Sequence, residues 1–184
     1  MKKSLSRVVT DSSVVVKWFK RGEEFEKEGL ELLSSATYLS HLIPSPGPLT
    51  KRRPSADEEA DAALGWKAAK ALAGVDVGQS VVVQGKAVVA VEAMEGTDAA
   101  VRRAAALVRS NGDTPRLVVV KVAKPKQDFR FDLPVLGLDT LAVMKECGAT
   151  GLALEAGKTL VFDREAFVRG ADAQGLAVWA IAGE

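Results

Sequence analysis

The chain has 184 residues with 25 Lys plus Arg against 24 Asp plus Glu, a balance that excludes the strongly basic footprint of a nucleic-acid binder. A single Cys excludes a disulfide framework and any Cys-rich metal cluster, and apolar runs such as Val118 to Val120 fall far short of the ~18 residues that cross a bilayer. Ala (28) and Val (24) swamp the aromatics, so the expected core is built from small and β-branched side chains with closely approaching backbones.

The first segment, RVVTDSSVVVKWF from Arg7 to Phe19, suits a buried strand, and Glu23 to Leu33 reads as a short charged helix. Pro44, Pro46, Gly47 and Pro48 then break the chain, and Lys51, Arg52, Arg53 and Pro54 follow directly, which predicts an extended linker. The domain organisation expected is therefore a segment of uncertain origin over 1–29, a Pro-rich linker over 30–54 and the main domain over 55–184. Ser55 with Glu58 makes a capping box behind Pro54, and the helix it starts is predicted to run to about Leu72. Ser80 to Gln84 and Ala87 to Ala93 are predicted strands joined across Gly85-Lys86, the spacing of a tight hairpin. Thr97 is expected to cap a helix through Val108, which the Asn111-Gly112-Asp113 cluster ends. Arg116 to Ala123 reads as a strand and Leu138 to Cys147 as a helix stopped by Gly148. Gly151 to Glu155 and Thr159 to Asp163 read as a second hairpin, Arg164 to Gln174 as a helix and Leu176 to Ile181 as a closing strand. The fold class is α/β: a mixed sheet with hairpins and flanking helices, and an irregular amino-terminal extension.

Two polar clusters follow predicted strand ends. In the first, Glu92, Glu95, Gly96, Thr97 and Asp98 put three carboxylates where a strand runs into a helix start, whose free amides favour an anion. Mg²⁺ takes one or two carboxylates plus water and phosphate oxygens, so Glu92, Glu95 and Asp98 are candidate metal ligands. The plainer reading has Glu95 and Asp98 serving only the helix dipole. In the second, Lys124, Lys126, Asp128, Arg130 and Asp132 share one face if the chain stays extended after Pro125. A phosphate ester held by Lys and Arg, with an Asp holding a metal or orienting water, would satisfy them; an edge strand kept soluble by alternating charge is the alternative. His41, among Leu39, Leu42 and Ile43, is expected to be a partly buried or packing residue, and Cys147 a structural one. The glycines match neither a phosphate-binding loop nor a dinucleotide fingerprint.

Beyond these features, DVGQ, VEAMEGTD, KVAKP and QDFRFDLP occur in one order from about Leu30 to the carboxyl end. In those motifs the chain resembles the I-type UDP-2,3-diacylglucosamine pyrophosphatases of lipid A biosynthesis. The resemblance implies Mg²⁺-dependent hydrolysis of that acylated nucleotide sugar to UMP and 2,3-diacylglucosamine 1-phosphate. It implies Asp128 and Asp132 as catalytic residues, and Gln79, Thr97, Lys121, Lys124, Gln127 and Arg130 as substrate-binding ones. A cytoplasmic protein follows, with room for peripheral contact with the inner membrane and for a homo-oligomer, and without a nucleic-acid partner. The family's amino-terminal nucleotide-binding domain is not matched here, which leaves a truncated, non-catalytic lipid-sugar-phosphate-binding remnant as the alternative. Residues 1–29 resemble the opening strand of PIN-domain ribonucleases, with Asp11 at the position of a metal-binding acid, but the later acids of that fold are not recognisable.

Overall fold

A computed structural model describes residues 38–125 and 133–183. The strand and helix expected before residue 34, with Asp11 and Trp18, lie outside the described residues, as does the charged stretch from Lys126 to Asp132.

A single 3-10 turn, Ser40–Leu42, leads into the short strand β1, Gly47–Pro48, so the stretch expected to be a plain linker contains an element. It pairs antiparallel with β8, Ala177–Ile181. Proline is tolerated there because β1 is an edge. His41 in the turn is exposed, which corrects the packing role expected for it; its carbonyl accepts from Arg164 at 3.2 Å.

Helix α1, Ala56–Gly74, starts as its sequence predicts: the Glu58 amide donates to the Ser55 hydroxyl and the Ser55 amide to the Glu58 carboxylate. Its inner face is made of Ala62, Gly65, Ala69 and Ala73, spaced for one side of a helix. That face lies close on the sheet. A Cβ at Gly65 would meet Val120 Cγ2 at 2.6 Å and Val83 Cγ2 at 3.0 Å, so glycine sets the depth of packing.

Strands β2, Ser80–Gln84, and β3, Ala87–Val91, form the predicted hairpin, with Gly85 and Lys86 both at positive φ as a two-residue turn of the I′ kind requires. Helix α2, Thr97–Ser110, buries Ala100, Val101, Ala104, Ala105 and Val108 as one stripe. Strand β4, Leu117–Lys121, is buried throughout. Helix α3, Leu138–Cys147, ends at Gly148 in the left-handed region, as read from the sequence. Strand β6, Ala149–Glu155, and helix α4, Arg164–Gln174, complete the large sheet and its cover.

The sheet order is β1-β8-β6-β4-β2-β3, with β4, β6 and β8 parallel and the others antiparallel to their neighbours. The expected second hairpin does not form. Strand β6 pairs parallel with both β4 and β8, while β7, Leu160–Val161, pairs parallel with β5, Val135–Leu136, in a separate two-stranded sheet. The reason is burial: the last five residues of β6 are inside, and such a strand belongs in the middle of a parallel sheet with helical crossovers. Alternation along the strands divides the core. Val82, Leu117, Val119, Leu152 and Val178 face the side covered by α2, α3 and α4, and Val81, Val83, Val118, Val120 and Ala153 face α1. Cys147 is buried in the first core, and burial, then the Glu146 charge, pushes its thiol pKa up. Trp179 packs in the second.

Candidate functional site

The carboxyl ends of β4, β6 and β8 lie together with the start of β2, the position where open α/β sheets place ligands. Register sets Ser80 opposite Lys121. Glu92, just past β3, donates its amide to the Ser80 carbonyl at 2.9 Å. The chain before β2 passes this point almost in contact: a Cβ at Gly78 would sit 1.9 Å from the Glu92 carbonyl oxygen, so a side chain has no room there.

Thr97 joins these residues. The helix cap is Gly96, at φ 84, and Thr97 is the first helical residue, which corrects the capping role expected for it. Its hydroxyl is used elsewhere, accepting from Lys121 Nζ at 2.7 Å, donating to Glu92 Oε1 at 3.0 Å, and lying 3.1 Å from Ser80 Oγ. Ser80, Glu92, Thr97 and Lys121 are all buried. An ammonium and a carboxylate thus share one hydroxyl at the amino end of α2, away from water. The second Glu92 oxygen, Oε2, is buried without a hydrogen-bond partner, and so is Gln79 Oε1. A buried acceptor left unpaired costs about 1–3 kcal/mol, which makes such atoms the natural seats for a ligand's donors or for a cation.

The remaining candidates are arranged differently. Glu95 is exposed and turned onto Arg103 at 2.5 Å and the Ala93 amide at 3.0 Å; its own amide, then Arg103, then Ala93 lower its pKa. Arg103 also donates to the Val91 carbonyl at 2.7 Å. Asp98 lies in the first turn of α2. Among the described residues, no three His, Cys, Asp or Glu side chains gather as an ion site, so Glu92, Glu95 and Asp98 do not converge. Lys124 pairs with Asp76 at 2.6 Å. Gln127, Asp128, Arg130 and Asp132 lie outside the described residues.

Sequence reasoning missed Ser80 and Glu155. Ser80 is a hydroxyl ahead of three valines in β2, and Glu155 is a carboxylate closing the apolar run GLALE. Reading β6 as a parallel strand would have flagged Glu155, because its carboxyl end then faces the site. Glu155 is wholly buried, with Oε1 receiving Lys70 Nζ at 2.6 Å and Lys158 Nζ at 2.8 Å. Burial alone would raise its pKa; Lys158, Lys70 and the Ala123 amide outweigh that and lower it.

The amino ends of the parallel strands carry a cleft of about 690 Å³ lined by Arg52, Asp57, Glu58, Asp61, Lys86 and Arg116, among others. Its central charges are mutually paired. Arg52 reaches Glu58 at 2.7 and 3.0 Å and also the Thr150 carbonyl, and Asp61 accepts from the Gly85 and Lys86 amides. Burial alone would raise the Glu58 pKa; hydrogen bonds from Arg52 and the Ser55 amide bring it down to about 2.

The UDP-2,3-diacylglucosamine pyrophosphatase LpxI of Caulobacter vibrioides is 38% identical over 159 residues, which are 85% of this chain and 57% of that protein. The chain thus spans little more than half the length of this curated relative. The family model for the LpxI C-terminal domain matches residues 45–179, a range that contains both polar clusters, and the chain belongs to that family.

Proposed function

We propose that this chain acts in hydrolysis of the pyrophosphate bond of UDP-2,3-diacylglucosamine, giving UMP and 2,3-diacylglucosamine 1-phosphate. The observation that carries the reading is the buried Ser80–Thr97–Glu92–Lys121 network at the carboxyl ends of the parallel strands, within the region matched by the LpxI C-terminal domain. Phosphoanhydride cleavage needs charge neutralisation on the bridging phosphates, an oriented water and exclusion of bulk solvent. Lys121, fixed by Thr97, supplies a desolvated positive charge, and Lys124, Gln127 and Arg130 are the further substrate-binding residues that the family resemblance assigns. Gln79 offers its unpaired carbonyl oxygen to a substrate donor. Asp128 and Asp132 are the acids assigned to orienting the water or holding a metal.

Mg²⁺ is part of the proposal. The orphaned Oε2 of Glu92 suits a cation, whereas Glu95 is already committed to Arg103, and among the described residues the three candidate acids do not gather at one point. That fits the preference of Mg²⁺ for few protein ligands plus water and phosphate oxygens. When bound, the ion would polarise a phosphoryl oxygen and offset developing negative charge. No described helix is long and apolar enough to cross a membrane. We place the reaction in the cytoplasm, with the acylated substrate presented at the inner-membrane surface.

The test is UMP release from UDP-2,3-diacylglucosamine in detergent micelles, with Mg²⁺ and with excess chelator, on protein shown to be folded by circular dichroism. Chelator-sensitive release is the expected result. Folded protein that binds 2,3-diacylglucosamine 1-phosphate without releasing UMP would overturn hydrolysis and make the chain a lipid-sugar-phosphate-binding unit.

A further inference from the structure

Strand β6 ends with a side chain that its position does not call for. Ala153 and Glu155 point to the α1 side of the sheet, where neighbouring strands place Val118, Val120 and Ala177. Glu155 is completely buried there. An apolar residue would fill such a position without the cost of desolvating a charge, so the carboxylate needs a reason beyond packing.

Its partners supply one. The parallel ladder between β4 and β6 ends at Lys121 opposite Leu154. Beyond it, the Val122 amide still bonds to the Gln79 carbonyl at 2.9 Å, on the β2 side. The Ala123 amide turns the other way and donates to Glu155 Oε2 at 2.8 Å. The side chain of β6 therefore continues the pairing one step past the end of the backbone ladder. Oε1 is held by Lys70 from α1 and Lys158 from the turn after β6, and Lys70 itself lies over the Trp66 ring, 5.2 Å from its centroid. The carboxyl-terminal tail closes on the same atom: a Cβ at Gly183 would lie 2.8 Å from Oε1. Three segments of the chain are thus bonded to one carboxylate, and a fourth passes beside it.

We propose that Glu155 is a positioning residue that anchors the chain leaving β4 and so sets where Lys124 stands relative to Lys121. Its service to phosphoanhydride hydrolysis rests on the function proposed above; the anchoring itself does not. Lys121 faces the α2 side of the sheet and Glu155 the α1 side, so the segment between Lys121 and Lys124 crosses the sheet end held from both faces.

The test compares Glu155→Gln and Glu155→Ala by amide hydrogen exchange and by the kinetics of UMP release. Exchange at Ala123 should accelerate about tenfold or more in Glu155→Ala, as expected for loss of a charge-assisted hydrogen bond, and less in Glu155→Gln, whose amide oxygen still accepts. Amides of Val81, Val82 and Val83 in β2 should keep their protection, and kcat should fall in the same graded order. Unchanged Ala123 exchange, or equal acceleration throughout β2, would overturn the anchoring role. An unaltered kcat in a variant whose Ala123 amide has loosened would overturn its service to the reaction. If the wild-type protein releases no UMP, the hydrolase reading fails, and the Ala123 exchange still decides whether Glu155 anchors.

Discussion

The two ends of the central sheet are both rich in charge, yet they are built on opposite plans. At the amino ends of the parallel strands the central charges of the cleft are paired: Arg52 with Glu58, and Asp61 with the hairpin amides. At the carboxyl ends a smaller set of residues is more deeply buried and incompletely paired, with Glu92 Oε2 and Gln79 Oε1 left over. Paired charges lock the chain in place. Unpaired buried acceptors are open to a ligand's donors or a cation, and for that reason the proposed function is placed at the carboxyl ends and not in the cleft.

Lys121→Met should sharpen the contrast most. Removing the buried ammonium is expected to lower UMP release about 100-fold, in line with loss of one preorganised electrostatic group, while circular dichroism remains that of the folded protein. Turnover equal to wild type would detach the network from the chemistry. Arg52→Ala attacks the other end, and there the expectation reverses. Loss of a partly buried pair should cost about 2 kcal/mol in urea unfolding, with turnover per folded molecule unchanged. A comparable loss of turnover would erase the distinction between the ends.

Gly65→Ala lies between them and should act on packing alone. The added Cβ collides with Val120 and Val83, so destabilisation of about 1–3 kcal/mol is expected from denaturant curves. No loss of stability would mean that α1 is free to move away from the sheet. Acid titration gives the smallest and most local effect. The Glu58 pKa in the folded state, about 2, lies below its ordinary value of 4.5, so its contribution to stability is fully present above about pH 4.5 and is lost as the pH falls toward 2. In Arg52→Ala that segment of the stability profile should flatten. An identical acid limb in both proteins would remove the Arg52 bond as its cause.

Much of this architecture was legible in the sequence because local signals and tertiary packing agree. The Ser55 capping box, the Gly85-Lys86 turn and the Gly148 stop are each fixed by a few neighbouring residues. The second hairpin was misread because short apolar runs look alike whether they pair with a sequence neighbour or with strands further along the chain. Only the topology shows β6 between β4 and β8. The same non-locality hid part of the candidate site. Glu92, Thr97 and Lys121 stood out as polar residues at strand and helix ends, but the hydroxyl of Thr97 was expected on its own helix and is bonded instead to residues from two strands' ends. Ser80 and Glu155 gave no motif at all, and their importance comes from register. The catalytic assignment of Asp128 and Asp132 comes from family resemblance, not from geometry.

The most direct test is to measure UMP release from UDP-2,3-diacylglucosamine for the wild-type chain, Lys121→Met and Arg52→Ala side by side, with Mg²⁺ and with chelator, per folded molecule. Chelator-sensitive release by the wild-type protein and Arg52→Ala, lost in Lys121→Met, is the predicted result. Release that survives in Lys121→Met and vanishes in Arg52→Ala would contradict the account and move the working site to the amino ends of the strands.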